Sequence, residues 1–292
     1  MEDYVVRATA DDGKIRAVAA VTTNIVKKAQ NIHGLSPLAS VAIGRTLTAA
    51  VLMSTFSKSP KEVQTIQIKG DGPLGGIVVV SDSNANVRGY VNNPLVYLPL
   101  NSKGKFDVAG AVGNGYLNII KDLGLKEPYI GYVDLISGEI AEDIAYYYAY
   151  SEQIPTSVAL GVLANSNEII ENAGGFIIQV MPGANDDTIT LIEEKISSIP
   201  SVTSFLSQGK LPEDILAEIL SEINLKIIQK SPCNYLCNCS QDRMQRNILS
   251  LGRAEILEIV EEQGGAQTQC HFCNKKYNFS KQDLMSLINE GL

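Results

Sequence analysis

The first 232 residues of this 292-residue chain contain no cysteine, and the whole chain has two histidines, His33 and His271, far apart in sequence. No nucleophile–histidine arrangement and no paired-carboxylate pattern stands out, so no enzyme active site is visible. The glycine-rich stretch Gly70–Gly76 lacks the Gly-Lys-Ser/Thr ending of a P-loop. It reads as a hairpin turn and not as a phosphate cradle. Basic residues are outnumbered, 24 Lys and Arg against 32 Asp and Glu, for a net charge of −8 and a pI near 4.9. That balance argues against nucleic acid as the main partner. The start, Met1-Glu2-Asp3-Tyr4, has neither the basic nor the apolar region of a signal peptide. No stretch approaches the roughly 18 apolar residues of a membrane span. Together these absences point to a reducing, cytoplasmic setting, in which thiols bind metal instead of pairing.

What is present is concentrated. All five cysteines lie between Cys233 and Cys273, as Cys233, Cys237-Asn-Cys239 and Cys270-His-Phe-Cys273, with 30 residues between the two pairs. A C-x-C and a C-x-x-C supply four thiolates, the ligand set of a closed, structural zinc site. Side chains two apart in an extended segment share a face, and residues three apart span a tight turn. Either pair is also within reach of a disulfide. Each can therefore hold half a metal site when reduced or close a local loop when oxidised. Only the metal ties the two halves together. Cys233 is left over, and spacing leaves it open as a plain thiol, a substitute ligand or a disulfide competitor. His271 is not needed by a metal that already has four thiolates.

The length and the 45% hydrophobic content suit one large domain plus a small one. Strands are predicted over 3–10 and 14–21 around the turn Asp11-Asp12-Gly13-Lys14. Helices follow over Thr23–Gln30 and Ser36–Phe56, the second with Ser36 as N-cap and Pro37 at its first position. Short strands are expected over 64–69, 75–81, 86–91, 106–111, 115–121, 129–136, 154–163 and 175–181, with a helix over 138–151. That helix carries Tyr146, Tyr147, Tyr148 and Tyr150, which cannot all face one core. From Met181-Pro182-Gly183 the pattern turns helical, over 186–198 and 212–227 with a break at Pro200–Gly209, and no strand signal appears from 182 to 230. Two further helices are predicted over 240–251 and 253–263. A hairpin then bears Cys270 and Cys273 at its knuckle, Tyr277 and Phe279 return as strand, and Ser280 to Asp283 opens a last helix like a capping box.

The C-terminal segment has few large apolar side chains, and domains this small need a staple. A structural zinc contributes roughly 10–16 kcal/mol of apparent binding free energy to folding. The segment is thus expected to be ordered with metal and largely unfolded without it. Thiolates remain open to strong oxidants, and two short disulfide loops would constrain the chain little. Against a redox switch stands a purely structural zinc knuckle. A nucleic-acid-binding zinc ribbon fits poorly, because residues 231–292 hold six Lys and Arg against seven Asp and Glu. A thiol–disulfide oxidoreductase fits poorly too, because its C-x-x-C begins a helix after a strand and here the flanks read as a hairpin.

The chain resembles the bacterial thirty-three-kilodalton heat-shock protein family, the redox-regulated holdase chaperones, over nearly its whole length. The segments that carry the likeness are Gln64–Val80 (QTIQIKGDGPLGGIVVV), Val87-Arg88-Gly89-Tyr90, and CNCS…CHFC with Tyr277 and Phe279 beyond. The resemblance implies an α+β fold: a large N-terminal domain of β-sheets flanked by helices (1–181), a helical linker (182–230) and a small C-terminal zinc-binding redox-switch domain (231–292). It implies that Cys237, Cys239, Cys270 and Cys273 bind one Zn2+ in the reduced, inactive form, and that oxidation forms the disulfides Cys237–Cys239 and Cys270–Cys273. Zinc then leaves, the linker unfolds, and the protein dimerises and holds unfolding client proteins without ATP and without enzyme activity. No nucleic acid or membrane partner is expected.

Overall fold

The computed structural model describes residues 2–290. In chain order it contains β1 (Tyr4–Ala10), β2 (Ile15–Val21), α1 (Thr23–His33), α2 (Pro37–Ser54), β3 (Val63–Gly70), β4 (Ile77–Asp82), β5 (Asn86–Val91), α3 (Val108–Val112), β6 (Gly115–Asp122), β7 (Tyr129–Asp134), α4 (Ala141–Tyr150), β8 (Thr156–Ala164) and β9 (Ile170–Val180). Then follow α5 (Asp186–Ser198), α6 (Val202–Ser207), α7 (Pro212–Leu220), β10 (Lys226–Pro232), β11 (Asn234–Tyr235), α8 (Gln241–Leu249), α9 (Arg253–Gln263), β12 (Gly265–Gln269), β13 (Lys276–Ser280) and α10 (Lys281–Glu290). The fold is α+β, as expected. It divides into two compact units, one up to Leu236 and one from Cys237.

Two sheets build the first unit, with strand orders β10-β1-β2-β9-β8 and β11-β5-β4-β3-β6-β7. All pairings are antiparallel except β11 on β5. Between the sheets runs α2, started by Ser36, whose hydroxyl accepts from the Ala39 amide at 3.3 Å. Every residue of this helix but Arg45 is buried because both sheets cover it, and one core joins Val5, Val18 and Ile177 of the first sheet to Ile66, Val79 and Ile119 of the second. The expectation that no stretch approaches a membrane span needs correction here. By length and composition α2 could cross a bilayer, but 94% of it is buried inside the fold.

A second core lies on the other face of the five-stranded sheet. There Ala17, Ala19 and Ile178 meet Ile192 of α5, Val202 and Phe205 of α6, and Ile215 and Ile219 of α7. The segment 182–230, expected as a linker, is therefore docked within the first unit. The sequence boundary at 230/231 falls inside β10, which pairs with β1 from Tyr4↔Pro232 to Thr9↔Lys226. This strand was missed because Ile215, Ile219 and Ile223 carry a helical period towards it and its own side chains are largely exposed. Only a long-range pairing makes it a strand. Asn224, at φ 58°, supplies the left-handed stop before it.

Two short helices were also missed. Where a strand was expected over 106–111, residues 108–112 form α3, capped by Asp107 accepting from the Gly110 amide at 3.0 Å. Helix α6 sits inside the expected break, capped by Ser201. The loop after Gly70 is a turn, as predicted. Its amides at Asp71, Gly72 and Leu74 are spent on carbonyls of Asn114, Val112 and Ala111. Gly70 is there for close approach: a Cβ on it would sit 2.0 Å from the Val112 carbonyl oxygen. Of the tyrosines on α4, Tyr147 and Tyr148 are buried and Tyr150 is exposed.

Asp143 organises the turn before α4. Its buried carboxylate accepts from the amides of Ile136, Ser137, Gly138 and Ile140 at 2.8, 3.0, 3.3 and 2.9 Å, holding Ile140 at φ 73°. Asp143→Ala leaves these amides unpaired and is expected to cost about 3 kcal/mol or more. Thermal unfolding followed by circular dichroism should show Tm lowered by roughly 10 °C.

Candidate metal centre

The second unit brings the four pattern cysteines together. Cys237 and Cys239 lie in the extended segment before α8, whose N-cap Ser240 accepts from the Arg243 amide at 3.2 Å. Cys270 and Cys273 lie in the turn between β12 and β13, which pair from Gly265↔Ser280 to Gln269↔Lys276. That turn is closed by the Asn274 amide donating to the Cys270 carbonyl at 2.8 Å, with Asn274 at φ 59°. The hairpin is backed by α10, where Ser280 and Asp283 form the expected reciprocal cap, at 3.2 and 2.8 Å.

All four sulfurs lie within 4.8 Å of one another. Cys237 Sγ is 3.6 Å from Cys270 Sγ, and Cys239 Sγ is 3.4 Å from Cys273 Sγ. A tetrahedral ion at about 2.3 Å from each sulfur needs edges of about 3.8 Å. The donor set fits such an ion with little adjustment. Among the described residues it is the only group of this kind. Around it packs a small core that includes Met244, Ile248, Ile256, Val260, Tyr277 and Phe279.

The metal-free thiols differ in acidity. Burial pushes Cys237 and Cys273 up. Burial acts the same way on Cys239, but the Tyr277 hydroxyl donates to its sulfur at 3.0 Å and the neighbouring thiols add hydrogen bonds. The balance lowers Cys239 to about 7.

Tyr277 is the contributor that sequence reasoning missed. Alternation with Phe279 gave its strand, but its hydroxyl partner appears only once the hairpin folds back. Cys233 lies elsewhere: it is buried in the first unit, its thiol donates to the Val21 carbonyl at 3.8 Å, and burial raises its pKa. Neither it nor His271 belongs to the sulfur group. His33 is in the first unit, with Nε2 3.2 Å from Tyr235 Oη.

Fold and centre together define a two-unit α+β protein whose small unit is built on a four-thiol site able to hold a metal ion. The chain belongs to the Hsp33 protein family, whose model matches residues 3–280. It is 69% identical over 288 residues to the 33 kDa chaperonin of Acetivibrio thermocellus, covering 99% of this chain and 97% of that protein. It is 54% identical over 292 residues to the 33 kDa chaperonin of Ruminiclostridium cellulolyticum, covering 100% of both. The crystal structure of the 33 kDa chaperonin of Thermotoga maritima matches with a TM-score of 0.92 at 39% identity, over 99% of this chain and 98% of that one. The family likeness read from the sequence is borne out, and the chain is a member of a chaperone family.

Proposed function

We propose that this protein is a redox-regulated, ATP-independent holdase that is inactive with zinc on Cys237, Cys239, Cys270 and Cys273 and active when those thiols are oxidised. The observation that carries this reading is the sulfur cluster itself. Two of its contacts run between the two pairs, Cys237 to Cys270 at 3.6 Å and Cys239 to Cys273 at 3.4 Å, so the reduced site joins chain segments that local oxidation would separate. Bound zinc supplies a closed cross-link between those segments. Forming the Cys237–Cys239 and Cys270–Cys273 disulfides from thiolates removes two electrons per pair, which peroxide accepts together with two protons from solvent as it is reduced to two waters. Four thiolate donors are lost, and the small core of the second unit keeps no staple.

The client surface in this reading is the apolar sheet face beneath α5, α6 and α7. Those helices precede Cys237 in the chain through β10, whose Lys230 pairs with Glu213 of α7. Glu213 also accepts from the Tyr4 hydroxyl at 2.8 Å. Loosening from the C-terminal side would remove β10 and this polar pin, then free α7. Unfolding proteins are the partners, the oxidised form dimerises, and the cytoplasm is the compartment.

The test treats reduced, zinc-loaded protein with peroxide at mildly raised temperature. Zinc release is followed with a chromogenic chelator, disulfides by peptide mapping, and function by aggregation of a thermally unfolding client. Zinc release with suppressed aggregation is expected. Zinc release with unchanged aggregation would refute the holdase reading, and catalysed insulin reduction would favour an oxidoreductase.

A further inference from the structure

Strand β13 turns two side chains inward, Tyr277 and Phe279, and their ends differ. Phe279 closes on hydrocarbon in the small core. Tyr277 ends in a hydroxyl, which donates to Cys239 Sγ at 3.0 Å. Its backbone is fixed by the Thr268↔Tyr277 register with β12, and the Lys275 ammonium lies 5.1 Å from its ring centroid. The ring is buried, so packing sets where the hydroxyl points. Cys237 and Cys273 accept from backbone amides, those of Cys239 and Lys275. On Cys239 the donor is a side chain.

Four thiolates around a divalent cation leave the centre anionic, and a hydrogen bond to a charged acceptor is about twice as strong as a neutral one. Such a bond does two things. It fixes the position of the sulfur, and it draws off electron density that an attack on an oxidant must deliver. Cys239 is partly exposed, so a molecule as small as peroxide reaches it. There the Cys239 sulfur attacks one peroxide oxygen, the O–O bond breaks, hydroxide leaves and the sulfur becomes a sulfenic acid. The Cys237 thiolate then displaces a second hydroxide and closes the disulfide, and two solvent protons convert both hydroxides to water. A donor on Cys239 opposes the first of these steps.

We propose that Tyr277 is a positioning residue of the C-x-C half: its hydroxyl holds Cys239 Sγ in the four-sulfur group and slows that sulfur's reaction with peroxide. The proposal rests on the redox reading of this centre, not on what the oxidised protein then holds.

The test compares full-length, zinc-loaded reduced protein with Tyr277→Phe, which keeps the ring and removes only the hydroxyl. Zinc content under reducing conditions should be equal in the two. With cobalt(II) in place of zinc, the sulfur-to-cobalt charge-transfer band should move to longer wavelength in the variant, because a sulfur without its donor gives up an electron more easily. Dilute peroxide is then added to the zinc forms with a cyclic diketone that traps sulfenic acids. Initial rates, before metal leaves, are read at each cysteine by peptide mapping. Trapping at Cys239 should rise about threefold or more, while Cys273, which keeps its amide donor, should not change. Phe279→Leu, which loosens the same strand face and leaves the hydroxyl, should alter neither the band nor the ratio of the two rates.

Zinc lost from Tyr277→Phe, an unmoved band, a Cys239 rate unchanged or slower, or an equal rise at Cys239 and Cys273 would overturn the proposal. Client aggregation with the oxidised proteins is measured alongside. If oxidised wild-type protein protects clients while Cys239 reacts equally fast in both proteins, the role of Tyr277 falls and the holdase reading stands. If Cys239 reacts faster in Tyr277→Phe while oxidation gives no protection, the reverse holds.

Discussion

Cys237→Ser is expected to leave the second unit without metal and largely unfolded, while α2 and strands β1 to β9 of the first unit keep their structure. A serine oxygen is a poor substitute for a thiolate, and a site with three cysteines forfeits much of the roughly 10–16 kcal/mol that a structural zinc contributes. The remaining core of Met244, Ile248, Ile256, Val260, Tyr277 and Phe279 is too small to offset that loss. Zinc content should fall to near zero, and limited proteolysis should cut first beyond Leu236. Cys233→Ser is the matched control: its thiol sits in the other unit, so metal content should not change. Unchanged protease resistance beyond Leu236 in Cys237→Ser would defeat the staple argument.

Ile219→Asp is expected to produce a holdase that needs no oxidant. Ile219 is buried on α7 beside Ile215, Leu216 and Leu220, each worth about 1.5–3 kcal/mol of burial. A carboxylate placed among them costs several kcal/mol more, because it has no partner there. The least costly escape is release of α7, which uncovers Ala17, Ala19 and Ile178 on the sheet. Reduced, metal-loaded variant should then bind a hydrophobic dye and suppress client aggregation. Ile219→Ala, at about 2–4 kcal/mol, should give a partial effect. Rapid hydrogen exchange over 212–220 with no client protection would show that the covered sheet is not the client surface.

How much of this was legible beforehand depended on whether the signal was local. The hairpin of β1 and β2, the start of α2 and the cap of α10 are written in adjacent residues. So were the metal-site candidates, because the cysteine pairs carry their geometry in their spacing. The misreadings have the opposite character. Strand β10 exists through β1, more than two hundred residues away, and α3 through a glycine-lined approach to the turn after Gly70. Helix α2 showed hydrophobicity without a polar face, and only two covering sheets explain why.

By itself the sequence determined the α+β class, the family and the four cysteines, since all of these rest on residue identity and short spacing. The tertiary structure decided that the four sulfurs converge, that the Tyr277 hydroxyl meets Cys239, that Cys233 is buried elsewhere, and that α5, α6 and α7 cover a sheet. Each of those depends on chain segments far apart meeting in space, where packing and hydrogen bonding, not local pattern, fix the outcome.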